Sequence, residues 1–321
     1  VFGDHTRAVK YIDFSFVPGA DGIKVLEPKA GILPKYLYYA TQYLVLRLED
    51  KGYARHYQYI EKKEIDIPSI SEQERIVAHI EELLSELDSS VETLQKVKKQ
   101  LKVYQQAVLK KAFSDISLNK YVFLKTVFDG TPQNGIYKSQ SAYGSGVRIL
   151  RIDGFYDGKI LDDYDYKRVF LSENEIRHYQ LCVDDLVINR VNSMPYLGKC
   201  ALVRKLSEIT VFESNMMRIK LDCKRVYPEY IAYYLSSFNG KKELTKNAKQ
   251  AVNQASINQT DVGNAMIPLP ESLEYQMDVV SNINIKMSVC DNIEQTVNTA
   301  LQQAEALRQS ILKKAFEGGL V

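Results

Sequence analysis

An internal repeat constrains this chain more than any other feature. The pentapeptide Leu109-Lys110-Lys111-Ala112-Phe113 recurs letter for letter as Leu312-Lys313-Lys314-Ala315-Phe316, at an offset of 203 residues. A long amphipathic run precedes each copy, and each run begins just after an Ile-Pro pair, Ile67-Pro68 and Ile267-Pro268. Further back, Pro34-x-Tyr36-Leu37-x-Tyr39 loosely matches Pro228-x-Tyr230-Ile231-x-x-Tyr234, with Tyr233 aligned to Tyr39, and the strand-like Gly22 to Leu26 aligns with Met217 to Leu221. One pentapeptide can recur by chance, but four features in one order at a nearly constant offset point to duplication. On that alignment Val1 corresponds to Tyr196 while the second module starts near Ser117, so the first copy is expected to lack about 79 residues at its front.

The repeat sets the expected organisation. Residues 1–70 read as the C-terminal part of a first module, 71–115 as a long helix, 116–270 as a second, complete module, and 271–321 as a second long helix. The length of 321 residues independently predicts two domains, at roughly 150 residues each. Within the first helix Ile80, Leu84, Leu87, Val91, Leu94, Leu101 and Val108 follow spacings of four and three, broken by Lys98 and Gln105, which is a heptad seam. The same register in the second helix falls on Ile283, Met287, Cys290, Glu294, Val297, Leu301, Ala304, Arg308 and Ile311. Ser71-Glu72-Gln73-Glu74 has the form of a capping box and is expected to start the first helix. Its acidic residues cluster in the first half and six of its seven basic residues in the second, an order that suits both the helix dipole and an antiparallel partner.

Between Tyr121 and Pro270 short strand-like runs, Val147 to Ile152, Lys199 to Val203 and Met217 to Leu221, alternate with turns, and a helix is expected at Pro228 to Phe238 with Tyr230, Tyr233 and Tyr234 on one face. The class expected is α+β: mixed α/β modules separated by two long antiparallel coiled-coil helices, with a pseudo-twofold internal repeat. The net charge is +2, from 42 Lys and Arg against 40 Asp and Glu, so any nucleic-acid site has to come from local segregation of charge. The four cysteines lie in no metal-binding or disulfide pattern. The chain has no apolar run of about 18 residues and no charged-then-apolar leader, which predicts no membrane span and a reducing cytosol.

Two loops of the second module are polar, amide-rich and next to positive charge. The first is Asn189-Arg190-Val191-Asn192-Ser193, directly after the apolar strand Asp185-Leu186-Val187-Ile188. Amides pair bidentately with adenine and guanidinium with guanine, so this loop suits base edges. The second, Lys241 to Gln259, carries Lys241, Lys242, Lys246 and Lys249, then Gln250, Asn253, Gln254, Ser256, Asn258 and Gln259, in which lysines would hold phosphates and amides would probe bases. The aligned stretch of the first module, Tyr53-Ala54-Arg55-His56-Tyr57-Gln58, is again cationic, polar and aromatic. The candidate DNA-binding residues are therefore Arg7, Arg55, His56, Tyr57 and Gln58 in the first module, and Asn189, Arg190, Asn192, Ser193, Lys246, Lys249, Gln250, Asn253, Gln254 and Asn258 in the second. The competing reading is that these Asn and Gln residues cap helices and turns and the lysines form a solvated face.

The sequence shows no catalytic constellation: no Asn/Asp-Pro-Pro-aromatic methyltransferase loop, no phosphate-binding G-x-x-x-x-G-K-[ST], and no histidine in a triad context. Acid-x-Lys triplets such as Asp157-Gly158-Lys159 and Glu61-Lys62-Lys63 resemble part of a nuclease motif, but a chain this charged produces several by chance. A coiled-coil scaffold that does not bind DNA and a metal-dependent nuclease remain the alternatives.

The Asp185-Leu186-Val187-Ile188-Asn189-Arg190 strand end, the Ile-Pro pairs, the Ser71-Glu72-Gln73-Glu74-Arg75-Ile76-Val77 helix start and the two Leu-Lys-Lys-Ala-Phe ends together resemble the DNA specificity subunit of type I restriction-modification systems. In the second copy the helix start departs to Ser272-Leu273-Glu274-Tyr275-Gln276. The resemblance implies a non-catalytic reader whose two target recognition modules each bind half of a bipartite sequence in double-stranded DNA, with the helices paired as a spacer. It further implies two methyltransferase (modification) subunits docked on the helices and a restriction subunit that supplies motor and nuclease. S-adenosylmethionine, ATP and Mg would belong to those partners, with no cofactor in this chain, and the setting would be the cytoplasm of a bacterium or archaeon.

Overall fold

In a computed structural model both heptad runs fold as uninterrupted helices, Ile70–Ser114 and Leu273–Phe316. The structure describes residues 1–19, 22–49, 52, 54–114, 120–156, 158–161 and 164–318; Tyr53, Asp157 and the expected module start near Ser117 lie outside them. The chain divides into two units, Val1–Gln100 with Asn292–Val321, and Leu101–Asp291, so each long helix contributes one stretch to each unit.

The helix starts repeat, the second at Ser272 as expected and the first not through the expected Ser71. Ser69 Oγ accepts the Glu72 N–H at 3.4 Å and Ser272 Oγ accepts the Tyr275 N–H at 3.2 Å. The N-caps are thus Ser69 and Ser272, related by the pentapeptide's own offset, and the box expected at Ser71 and Glu74 begins two residues inside the cap, where both residues are exposed. The reason is Gln73, which is fully buried and fixes the helix phase. Its amide donates to Gly31 O at 2.9 Å and Pro68 O at 2.8 Å, while its Oε1 accepts the Leu33 N–H at 2.9 Å. Gln276, also fully buried, repeats this in the second unit, donating to Arg225 O and Pro270 O and accepting the Tyr227 N–H at 2.8 Å.

In the first unit a helix with Pro at its first turn, Pro34–Leu46, packs Tyr36, Tyr39 and Ala40 against Ile76, Val77, Ile80 and Leu84 of the first long helix and Ile311, Leu312 and Ala315 of the second. Lys98 Nζ donates to Asn298 Oδ1 at 2.8 Å and Asp88 pairs with Arg308, so residue numbers rise on one helix as they fall on the other. The pair is antiparallel here, and two of the seam's polar interruptions, Lys98 and Arg308, are the residues that fix its register. Phe316 ends the run with its ring 5.3 Å from those of Tyr36 and Tyr43.

The second unit repeats the pattern around a sheet. Its four antiparallel strands run in the order Cys200–Leu202, Leu186–Asn189, Met216–Ile219, Gln133–Asn134. Leu186, Ile188, Cys200, Leu202, Met217 and Ile219 face the helix Pro228–Ser236 together with Leu109, Phe113, Val280 and Ile283 of the long helices. Val187, Ala201 and Met216 face Leu150, Phe155 and Phe212 on the other side. Burial on both faces is why Leu186-Val187-Ile188 reads as a continuous apolar run and not as an alternation. A smaller sheet orders Thr210–Phe212, Tyr143–Leu150 and Arg168–Val169, with its first pair parallel. Met266–Leu269, which carries the second Ile-Pro pair, is antiparallel to Lys120–Phe123. Phe113 meets the rings of Tyr230 and Tyr234 edge-on, each at 5.3 Å. Each copy of the pentapeptide therefore ends in a phenylalanine held by two tyrosines. The tyrosine hydroxyls repeat as well: Tyr36 donates to Asp66 O at 2.9 Å and Tyr230 to Pro268 O at 3.1 Å.

Candidate nucleic-acid interface

The two polar loops of the second unit, separate in sequence, form one small sheet. Val191–Asn192, Ala255–Ser256 and Lys249–Gln250 lie side by side in that order, Val191 opposite Ser256 and Gln250 opposite Ala255. The last two strands make a hairpin closed by the Ala251 N–H donating to Gln254 O at 2.7 Å. Lys246, Lys249, Gln250, Asn253 and Gln254 are all exposed, and Val252 at the tip is 98% exposed. The adjoining loop is held from below at Gly198, whose φ of +72° suits glycine, whose N–H donates to Asn189 O at 2.9 Å, and where a Cβ would stand 3.1 Å from Thr245 Cγ2.

The same geometry reassigns several residues. Asn189 is the last residue of a central strand, paired with Met216 on one side and bonded through its N–H to Lys199 O on the other; its side chain is fully buried and not presented to solvent. Its two amide atoms and Arg190 Nε are buried with no hydrogen-bond partner among the described residues. Arg190 is half-buried and donates from Nη1 to Ser214 O at 2.9 Å. Asn192 folds back on its neighbour, accepting the half-buried Ser193's N–H at 2.7 Å. Asn258 is a helix cap: its Oδ1 accepts the Asp261 N–H at 2.9 Å while Asp261 accepts the Asn258 N–H at 2.9 Å. The capping alternative holds for Asn258, whose side chain is exposed but engaged in the cap, and Gln250, Asn253 and Gln254 of the hairpin are exposed.

Sequence reasoning missed a third segment beside this surface. Gln259 Nε2 donates to Pro132 O at 2.6 Å, and the Ser214 N–H donates to Ile136 O at 2.9 Å, which brings Thr131-Pro132-Gln133-Asn134-Gly135-Ile136-Tyr137 alongside the Arg190 loop. Tyr137 is 81% exposed. The crossing requires Gly135, because a Cβ there would stand 2.1 Å from Glu213 O. The signal was present in the sequence: the segment has the same amide and turn-residue composition as the loops that drew attention.

In the first unit Asp4, 2% exposed, ties the candidates together. Its backbone O accepts the His56 N–H at 2.9 Å and its Oδ1 accepts the Tyr57 N–H at 2.8 Å, beside a tight turn in which Arg7 has φ 58°. Arg55 and Gln58 are exposed and linked, Gln58 Nε2 to Arg55 O at 3.0 Å. Tyr57 is half-buried, with Lys24 Nζ 5.8 Å from its ring centre. His56 is only 1% exposed, so its imidazole belongs to the interior and not to the surface expected of it.

Charge on the second unit is partly spent internally. Burial lowers the pKa of Lys241, whose Nζ donates to Pro195 O at 2.5 Å. Burial also pulls the Glu243 carboxyl up, but its bonds to the Lys246 ammonium and the Met266 N–H outweigh that and hold it below the ordinary value. Lys246 is thus compensated at 2.8 Å, leaving Lys249 the less encumbered cation of the hairpin. Lys159 of the nuclease-like triplet is paired with Asp291 at 2.5 Å. Among the described residues no group of three or more His, Cys, Asp or Glu is placed to hold a metal ion, and no helix is long and apolar enough to cross a membrane.

Fold and surface define an α+β protein of two units that share a pair of long helices, the second unit presenting a polar hairpin. No family model matches the chain. It is 30% identical over 269 residues to the type I restriction enzyme EcoKI specificity subunit of Escherichia coli K12, an alignment covering 80% of this chain and 57% of that protein. The StySPI specificity subunit of Salmonella potsdam is 29% identical with the same coverage. A solved chain from work on complex assembly and conformational transition of the type I R-M system superposes with a TM-score of 0.66 at 19% identity, over 89% of this chain and 71% of that one, a likeness of fold. The chain is a homologue of the specificity subunits of type I restriction enzymes, and it spans a little over half the length of these curated relatives.

Proposed function

We propose that this chain reads DNA sequence for a type I restriction-modification complex without carrying catalysis itself. In this reading each unit binds one half of a bipartite site in double-stranded DNA, and the paired helices dock two methyltransferase subunits and a restriction subunit. S-adenosylmethionine, ATP and Mg act in those partners, in the cytoplasm of a bacterium or archaeon. The observation that carries the reading is the hairpin sheet: two polar segments remote in sequence fold side by side, with Lys249, Gln250, Asn253 and Gln254 exposed, in a homologue of specificity subunits. An ammonium and three amides on a two-stranded ribbon are suited to phosphates and to the major-groove edges of bases.

Genomic methylation mapping of the host, with and without the gene, tests it. A split adenine-methylated motif that disappears with the gene is the expected result. An unchanged methylome, or a complex that retards all duplexes alike, would instead favour a scaffold that does not read DNA.

A further inference from the structure

The tip of the hairpin carries a residue that the fold does not explain. Turns favour Gly, Asn, Asp, Pro and Ser for their backbone geometry or local hydrogen bonds, yet this one places Val252, with its β-branched apolar side chain, at 98% exposure. Apart from the small Ala251 directly before it, its chain neighbours are polar: Lys249, Gln250, Asn253 and Gln254, all exposed. The Ala251 N–H donates to Gln254 O across the base of the tip, which closes the turn that carries Val252. A single exposed apolar side chain needs no explanation on an ordinary surface, but at the tip of an amide-rich ribbon it has a specific complement. The major groove admits a two-stranded ribbon, and the apolar group it displays on base edges is the C5 methyl of thymine.

We propose that Val252 is a specificity-determining residue that packs against the C5 methyl of one thymine in the half-site read by the second unit. The proposal rests on the DNA-reading function above and extends it from the amides and lysines to an apolar contact. The flanking amides would set the register by hydrogen bonding, and Val252 would read the C5 methyl that thymine alone carries among the four ordinary bases and that is the one group uracil lacks.

The test uses the chain assembled with its modification subunits and duplexes carrying the mapped motif, in which each thymine of both strands is replaced in turn by uracil. Uracil keeps the pairing and loses only the methyl. At one position the wild-type complex is expected to bind about threefold to fivefold more weakly, the worth of one buried methyl group. Val252→Ala and Val252→Ser should bind the thymine duplex about as weakly as wild type binds the uracil duplex, and should no longer distinguish the two. Selective binding with no uracil-sensitive position in either half-site, or the same sensitivity in both Val252 variants, overturns this proposal and leaves the DNA-reading function standing. A complex with no selectivity for the mapped duplex overturns both.

Discussion

Gln73 and Gln276 show what a single side chain does in this repeat. Each uses its amide three times, twice as donor and once as acceptor, to bind the segment before a Pro-initiated helix to the segment before a long helix. Both are fully buried, so removing one strands backbone groups that water does not reach. Gln73→Ala and Gln276→Ala are each expected to destabilise their own unit by about 2–3 kcal/mol, read as a loss of amide-exchange protection in that unit; a loss below 1 kcal/mol would mean water replaces the amide. Neither glutamine stands out in the sequence, where Gln73 reads as the interior of a capping box. Burial gave it its role, and burial is a property of the fold.

At the scale of elements, the short helix Glu173–Tyr179 is fixed by one carboxylate. Glu175 accepts from Ser172 in a reciprocal capping box and pairs with Lys138 at 2.6 Å. The Lys138 ammonium first, then the Ser172 N–H and hydroxyl, lower its carboxyl from the ordinary 4.5 to about 2. Because the folded value is depressed, this contribution to stability is complete above pH 4.5 and is lost as pH falls toward about 2. Glu175→Gln should therefore be less stable than wild type at neutral pH, and the gap should close across that acid window when unfolding midpoints are compared; a gap independent of pH would show that the carboxylate charge is not involved. The long helices were the most legible elements, since the heptad spacing named seam positions such as Ile80, Leu84, Val297 and Ile311 that are buried. The cap of the second helix was legible at Ser272, but that of the first was not: the spacing read it at Ser71, and the burial of Gln73 sets the phase that places it at Ser69.

For the whole molecule in its complex, the lysines and amides of the hairpin should separate in a salt titration. Lys249→Ala is expected to lower the slope of log affinity against log salt by about one, the signature of one lost phosphate contact. Lys246→Ala should change it less, because Glu243 already neutralises that ammonium. Asn253→Ala and Gln254→Ala should leave the slope alone and cost about 1–3 kcal/mol at a single base position. An unchanged slope in Lys249→Ala would take the hairpin off the phosphate backbone. The two loops were each visible in the sequence as polar and cationic, but their pairing was not. Nothing local in Asn189-Arg190-Val191-Asn192-Ser193 specifies a strand partner more than 50 residues away.

By itself the sequence determined the duplication, the heptad seam, the α+β class and the polar segments, because these are written in spacing and composition along the chain. The tertiary structure decided which polar residues remain outside. It buried Asn189 and His56, set Asn258 to cap a helix, tied Lys246 to Glu243, and left Lys249, Gln250, Val252, Asn253 and Gln254 exposed on one ribbon. The physical reason is that exposure and pairing depend on contacts between segments far apart in the chain. An asparagine at a strand end and an asparagine at a hairpin tip have the same letter and the same local chemistry until the neighbouring strands are in place.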